Sequence, residues 1–247
     1  MTQEFIRQLM IVCPLVFLAG FIDSIAGGGG LISLPAYLFA GVPVHLAYGT
    51  NKFSSAFGTT ISTLKFLKSG NITLKLALLS AAGALTGSAV GARMVLAASE
   101  RVLQICLMVI LPCVAVFLLF NRSFGKEDGA RKNYTPRQLA VRAALIGLAI
   151  GWYDGFFGPG TGTFLVIAFT GVMGMTLVNA SGNAKVVNLA SNIAALTTYI
   201  FGGTVLYSLA IPAALSNILG NISTQIPKES LNTSSERTIC INSTTTK

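Results

Sequence analysis

The sequence predicts an all-α polytopic membrane protein with two homologous helical repeats in inverted orientation, in which glycines break some of the helices. Hydrophobic residues make up 53% of the 247 residues and charged residues only 10%, whereas a soluble domain carries about a quarter charged residues. Several apolar runs approach or reach the roughly 20 residues that a membrane-spanning helix needs. A motif also occurs twice, as GFIDSIAGGGG at 20–30 and as GWYDGFFGPGTG at 151–162.

Nine apolar segments are candidates for helices. Seven are long enough to be considered as membrane spans, and they cover 5–26, 44–67, 74–96, 102–120, 139–157, 184–201 and 205–220. Two shorter segments, 31–40 and 163–173, directly follow the glycine clusters. These segments leave no room for a soluble catalytic domain.

The two copies of the motif keep a nearly constant spacing. Gly20 recurs as Gly151, Asp23 as Asp154 and Gly27 as Gly158, each 131 residues later. After two one-residue insertions in the second copy, the matching pairs are Asn51 with Asn183, Lys52 with Lys185, Gly70 with Gly203 and Gly87 with Gly220. Broken apolar helices at matching positions of two halves are typical of secondary transporters.

The repeat divides the chain into four parts. We expect 1–120 to form the first transmembrane repeat and 138–221 an incomplete second one. The polar stretch 121–137 holds five basic and two acidic residues, so we place this linker in the cytoplasm. Residues 222–247 are rich in Ser, Thr and Asn and are predicted to be a disordered tail. A partner for segment 102–120 belongs there, so we expect a frameshift or premature end relative to a symmetric ancestor; a regulatory tail is the alternative.

The orientation of the halves depends on the short segments. If these only re-enter the membrane, the repeats are parallel; if they cross, the repeats are inverted. Three lysines surround the turn at Gly70, whereas the matching turn at Gly203 carries no charge. Because positive charge concentrates in the cytoplasm, this asymmetry favours inversion. Arg93 and Arg101 oppose the trend, since they flank an external turn in either arrangement.

Charge and cysteine content exclude several functions. The net charge is +9, but the basic residues lie at helix ends and in one loop, without the aromatic-interleaved stripe of a nucleic-acid site. Positive-inside bias explains the charge, and no nucleic-acid partner is expected. The four cysteines form no CxxC pair and the chain has a single histidine. We therefore expect no metal and no cofactor.

The glycine clusters are the first candidate site. Glycine lets a helix unwind and expose backbone N–H groups, and the short helix that follows starts with a positive dipole end. Two such starts near the membrane midplane would bind an anion. Close helix packing is the alternative explanation. The candidate residues are Gly27, Gly28, Gly29, Gly30, Gly158, Gly160, Thr161 and Gly162.

Two lysines inside apolar segments extend this site. Lys52 follows Asn51 directly, and Lys185 follows Asn183 after one residue. A lysine inside a membrane faces a cavity and has a partner. All four residues are therefore predicted to bind substrate. The alternative is that each lysine pairs with Asp23 or Asp154 or reaches the membrane interface. The two explanations are compatible.

The aspartates have two candidate roles as well. Asp23 and Asp154 either cap the following helix or carry a proton, and capping is the plainer explanation. Further polar residues within the apolar segments are Ser54, Ser55, Thr59, Asn188, Ser191 and Asn192. They line a path or bond neighbouring helices.

These motifs resemble a known family. The stretches DSIAGGGGLISLPAYL, GTNKFSSAFGTT and GWYDGFFGPGTGTF are similar to the TauE/SafE family of sulfite exporters and probable membrane transporters. The resemblance extends to about Gly220 and implies a multi-pass transporter of the bacterial inner membrane. Small anions, often sulfur oxyanions or organosulfonates, are the substrates it implies. The residues after Asn221 depart from the family pattern.

The leading hypothesis is therefore a secondary transporter for a small anion. A membrane enzyme lacks support, because the sequence offers no paired histidines, activated cysteine or GxSxG motif. A non-transporting scaffold or an inactive truncated transporter is the remaining alternative. The lipid bilayer is a partner in every case, and a coupled proton and a homo-oligomer are left open.

Overall fold

The computed structural model describes residues 3–120 and 134–224, and every regular element within these ranges is an α-helix. In chain order the helices are α1 (Gln3–Ala26), α2 (Gly30–Phe39), α3 (Val44–Lys68), α4 (Leu74–Ala97), α5 (Glu100–Phe120), α6 (Pro136–Phe156), α7 (Thr161–Gly171), α8 (Leu177–Phe201) and α9 (Tyr207–Ser223). Each of the nine predicted segments overlaps one of them.

Some helix boundaries differ from the predicted segments. Helix α8 begins at Leu177, well before residue 184, because the Thr176 side chain accepts a hydrogen bond from the Asn179 backbone N–H and caps the helix. Helix α6 begins at Pro136, where Thr135 and Gln138 form a reciprocal capping box. Helix α9 ends at Ser223. The second bundle of helices is therefore slightly longer than the predicted range 138–221.

The helices divide into apolar and polar-faced ones. Four are long and apolar enough to cross a membrane, namely α1, α4, α5 and α6. Helices α3 and α8 have 25 residues each but carry many buried polar side chains, so they occupy the middle of the bundle. Large apolar side chains such as Met10, Met108 and Phe120 are exposed on the outside. This distribution is that of an all-α polytopic membrane protein, as predicted.

Helices from one half pack mainly on helices from the other. Helix α1 packs on α9, α4 packs on α6 and α8, and α3 packs on both α8 and α9. Glycines permit the closest approaches: a Cβ atom at Gly220 would lie 2.8 Å from the Phe21 backbone nitrogen, and one at Gly87 would lie 2.7 Å from that of Trp152. Small residues bring membrane helices together in this way.

The two matching turns lie at opposite ends of α3. Gly49, near the start of α3, packs against the backbone of Thr204, whereas α3 runs out at its other end into the turn at Gly70. Gly182, near the start of α8, packs in turn against the backbone of Asn71. A helix of 25 residues is about 37 Å long. The inverted relation between the halves stays a proposal, and this placement supports it.

Most of the predicted linker and tail lies outside the described residues. That applies to 121–133 and to 225–247. The cytoplasmic position of the linker and the disorder of the tail therefore stay predictions.

Candidate functional site

The two glycine clusters meet in the centre of the bundle. Gly27 lies directly against Gly162, and a Cβ atom added to Gly27 would come within 2.8 Å of the Gly162 backbone. Gly27 also has a φ of +74°, which L-residues with a side chain rarely adopt. Gly30 lies against Gly158 and Pro159, with a Cβ distance of 3.2 Å. The break between α1 and α2 therefore crosses the break between α6 and α7, and the two contact each other through backbone atoms.

The starts of α2 and α7 leave backbone donors unused. Neither Gly29 nor Gly160, the residues that precede these helices, provides a side-chain cap. Among the described residues, no backbone acceptor is recorded for the N–H groups of Gly29, Gly30 and Gly162. Each helix start also carries the positive end of its dipole. The crossing point therefore has the character of an anion-binding site.

A small polar cavity lies at this crossing point. Its volume is about 30 Å³, room for about two water-sized groups, so the chamber is nearly closed in this conformation. Residues from seven helices and both breaks line it: Ala19, Asp23, Gly27, Gly29, Gly30, Ser33, Asn51, Lys52, Ser55, Thr59, Asp154, Gly158, Thr161, Gly162, Asn188, Asn192 and Asn217.

One ion pair closes the cavity from the side of α3 and α6. The Lys52 ammonium lies 2.7 Å from Asp154 Oδ2, and both side chains are almost fully buried, at 4% and 3% exposure. Lys52 also donates to Asn192 Oδ1 at 3.0 Å. Asp154 accepts two further hydrogen bonds, from Thr161 Oγ1 to Oδ1 at 2.8 Å and from Ser191 Oγ to Oδ2 at 2.5 Å. Both carboxylate oxygens are therefore occupied.

A second ion pair lies between α8 and the end of α1. The Lys185 ammonium is 3.0 Å from Asp23 Oδ2 and also donates to the backbone carbonyl oxygen of Asp23. Side-chain exposure is 6% for Lys185 and 14% for Asp23. Each lysine thus pairs with the aspartate of the other half, so the two pairs tie the halves together at the cavity.

Ten of the fourteen residues singled out in the sequence line the cavity, and four do not. The four are Gly28, Gly160, Asn183 and Lys185. Lys185 does not line the cavity, but it contacts Asp23, which does. Gly28 faces the Thr163 side chain, and Gly160 faces Val114 of α5, so these glycines shape the breaks without facing the chamber.

Asn183 is the clearest departure from the sequence interpretation. Its amide donates to the Asn179 carbonyl oxygen at 2.6 Å, one turn back along α8. Asn51 is one residue before its lysine and Asn183 two residues before, and one residue rotates a side chain by about 100° around a helix. Asn183 therefore points away from the cavity, and the matching asparagines are not equivalent.

Two polar lining residues were not predicted from the sequence, Ser33 of α2 and Asn217 of α9. Asn217 accepts from Asn221 one turn later, at 2.8 Å. An i, i+4 pair of asparagines in an otherwise apolar helix is the signal that could have found it.

Asn51 has an unsatisfied polar atom, because its Oδ1 is buried without a hydrogen-bond partner among the described residues. An orphan acceptor at a cavity wall leaves room for a ligand or water.

Comparison with known proteins identifies the family of this chain. Residues 12–225 match the family described as sulfite exporter TauE/SafE. The chain belongs to this family. The probable membrane transporter protein YfcA of Escherichia coli K12 is 35% identical over 227 residues, covering 88% of this chain and 82% of the relative. The probable membrane transporter protein ORF9 of a Sinorhizobium species is 38% identical over 208 residues, covering 83% and 77%.

A more distant relative has the same description. The probable membrane transporter protein YdhB of Bacillus subtilis is 27% identical over 214 residues, covering 85% of this chain and 86% of its own length. No solved structure shows a significant match. Family and relatives confirm a multi-pass transporter of the bacterial inner membrane that handles a small substrate, and not an enzyme.

Proposed function

We propose that the chain is a secondary transporter, an exporter or permease, for small anions of the sulfur oxyanion or organosulfonate class. One observation carries the proposal: two glycine breaks bring the unpaired starts of α2 and α7 together on a cavity bordered by both lysine–aspartate pairs. The family description, sulfite exporter, supports this choice of substrate class.

The charge balance of the cavity favours an anion. Two lysines and two aspartates cancel formally, so the unpaired backbone N–H groups and the two positive helix ends decide the sign. Asn51 and Asn188 also line the cavity, and their side-chain amides are donors that carry no charge. The small volume favours a compact ligand such as an oxyanion or the sulfonate end of a small organic acid.

Alternating access follows from the proposed two-fold relation between 1–120 and 138–221. In transporters of this kind, one half rocks against the other around a fixed site near the midplane. Reciprocal packing of α1 on α9 and α4 on α6, with the cavity between them, supports this movement. Opening would enlarge the chamber and admit the anion from one side at a time.

Anion flux into proteoliposomes and anion affinity of the purified chain test the proposal together. Lys52→Gln and Lys185→Gln each remove one charge-assisted contact, so we expect a loss of about 1.5–3 kcal/mol, or tenfold or more in affinity. Lys75→Gln is the matched control, because this lysine lies exposed in the first turn of α4. It should leave affinity unchanged.

Two results would contradict the proposal. If both lysine variants keep wild-type affinity for an anion that the chain transports, the site lies elsewhere. If no anion of this class binds or moves, the chain is a non-transporting scaffold or an inactive product.

A further inference from the structure

The two ion pairs occupy matching positions of the two halves, but they are held differently. Asp154 receives an ammonium and two hydroxyl donors, which together occupy both carboxylate oxygens. Asp23 receives only Lys185, and no side-chain hydroxyl within 3–120 or 134–224 is recorded as donating to its carboxylate. Asp23 is also the more exposed of the two aspartates, 14% against 3%.

The sequence explains this difference. At the spacing of 131 that relates Gly27 to Gly158, Thr161 corresponds to Gly30; at the spacing of 133 that relates Lys52 to Lys185, Ser191 corresponds to Gly58. Both hydroxyls that hold Asp154 are therefore glycines in the first half. In place of the second hydroxyl, the Asn217 side chain fills the space beside Gly58.

This asymmetry fixes which pair opens more readily. Releasing Asp154 breaks an ion pair and takes both carboxylate oxygens away from hydroxyl donors in a nearly dry site. The Thr161 and Ser191 hydroxyls keep the Gly158 and Asn188 carbonyl oxygens as alternative acceptors, so the penalty falls on the buried carboxylate. Releasing the Asp23 carboxylate breaks a single ammonium contact, and this carboxylate already lies on the cavity wall.

We propose that the Lys185–Asp23 pair is the exchangeable one: the transported anion displaces the Asp23 carboxylate from Lys185, and Asp23 takes up a proton. This inference rests on the proposed function and divides its two lysines into a mobile one and a fixed one. Lys52 stays bonded to Asp154 and holds the halves together throughout, and its ammonium, which lines the cavity, also contacts the bound anion. In the empty transporter the Asp23 carboxylate stands in for the substrate anion.

The proton balances the charge. A carboxylate that loses its lysine inside a membrane is costly, and it becomes neutral when hydronium in the water entering the opened cavity transfers a proton to Oδ2, leaving water. Charged groups that face Asp23 are Lys185 from α8, with Lys52 of α3 and Asp154 of α6 across the cavity. Helix α9 contributes the neutral Asn217, and α2 the neutral Ser33. Anion and proton therefore bind together.

Binding of sulfate and methanesulfonate at several pH values tests this exchange. Both probes stay ionised between about pH 5 and 8, so their own titration does not contribute. Because the complex holds one more proton than the free chain, wild-type affinity should rise as pH falls, approaching tenfold per unit. Asp23→Asn removes the competing carboxylate. Near neutral pH this variant should bind either anion at least about ten times more tightly than wild type, and its affinity should not depend on pH.

Asp154→Asn and His45→Gln are the comparison variants. Asp154→Asn should lower the unfolding temperature and leave the pH dependence of any remaining binding in place. His45, the one histidine of the chain, bonds to the Val95 and Ala98 carbonyl oxygens at the end of α4 and does not line the cavity. His45→Gln should therefore leave the pH dependence of anion affinity unchanged.

The outcomes separate this inference from the proposed function. If wild type binds a probe but Asp23→Asn keeps the same affinity and the same pH dependence, Asp23 is not displaced and the inference is wrong. The same holds if Asp154→Asn alone abolishes the pH dependence. If wild type binds neither probe, the proposed function fails for this anion class, and the exchange fails with it.

Discussion

At the scale of single residues, the site shows how a charge is kept inside a membrane bundle. Lys52 and Asp154 neutralise each other, and the remaining hydrogen-bonding capacity is met by Asn192, Ser191 and Thr161. A buried pair with all partners in place is costly to break, because removal of one partner leaves the others unsatisfied. The cluster therefore stabilises the contact between α3, α6 and α8.

Ser191→Ala measures the contribution of one hydroxyl to this cluster. The variant removes the 2.5 Å hydrogen bond to Asp154 Oδ2 and little volume. We expect the free energy of unfolding to fall by about 1–3 kcal/mol, measured by thermal unfolding in detergent.

Ser216→Ala is the matched control for this prediction. Within the described part of the chain, the recorded partner of the Ser216 hydroxyl is the Pro212 carbonyl oxygen of its own helix, so its removal should change stability by no more than about 0.5 kcal/mol. If both variants lose the same free energy of unfolding, the Ser191 hydrogen bond to Asp154 contributes no more to stability than a bond within one helix.

The presence of buried charged residues could be predicted from the sequence, but the pairing of each lysine with a particular aspartate could not. Lysines and aspartates inside apolar segments predicted paired charges near a cavity, and the structure has both pairs. Which aspartate meets which lysine depends on how two distant helices face each other, and no local pattern contains that information. Asn183 does not line the cavity as Asn51 does. The reason is local, because one inserted residue before Lys185 rotates the Asn183 side chain away from the cavity.

At the scale of elements, the breaks within α1–α2 and α6–α7 matter most. Their helical segments were predictable from apolar runs, and the breaks from clustered glycines. The contact between the breaks was not, because the sequence places Gly27 and Gly162 more than a hundred residues apart. A helix break normally lowers stability, because backbone hydrogen bonds are lost there. In this bundle the two breaks pack against each other, and this contact stabilises both.

Gly27→Ala tests this support. Gly27 has positive φ and would place a Cβ atom 2.8 Å from the Gly162 backbone, where nothing flexible can move aside. We expect a loss of more than about 2 kcal/mol in stability together with loss of anion binding, since strain and overpacking add.

Gly41→Ala separates the two causes. Gly41 has a similar φ of +78° but nothing within 4 Å of its added Cβ atom. Strain alone should cost about 1–2 kcal/mol there, with anion binding intact. If the two variants lose equal stability, the crossing of the breaks is not tightly packed.

At the scale of the whole molecule, the two matching turns differ in charge, although Arg93 lies near Phe201 and Gly202 at the end that holds the uncharged turn. The turn at Gly70 lies at one end of α3 with Lys65 and Lys68, and the uncharged turn at Gly203 lies at the other. Lys65 also donates to the Asn221 and Thr224 carbonyl oxygens, which extends the positive end to the close of α9. From the positive-inside rule we expect 69–71 in the cytoplasm and 201–204 outside.

Single-cysteine labelling of whole cells tests this topology. On a chain whose four native cysteines are replaced by alanine, a membrane-impermeant thiol reagent should label Phe201→Cys and not Ser69→Cys. Both positions avoid the strained glycines of the turns. Labelling of Ser69→Cys alone would reverse the orientation, and labelling of both would place the two turns on one side and contradict inverted repeats.

Reciprocal packing of the two halves also has a consequence for biosynthesis. Helix α1 packs on α9, which is made much later and is the last of the helices that the structure describes. The polar face of α3 meets α8 only after more than a hundred further residues are synthesised. Until then Lys52 has no Asp154, and lipid cannot solvate an unpaired ammonium. We therefore expect the first half to stay near the insertion machinery until the second half is made, and a fragment that ends within the linker to be unstable in the bilayer.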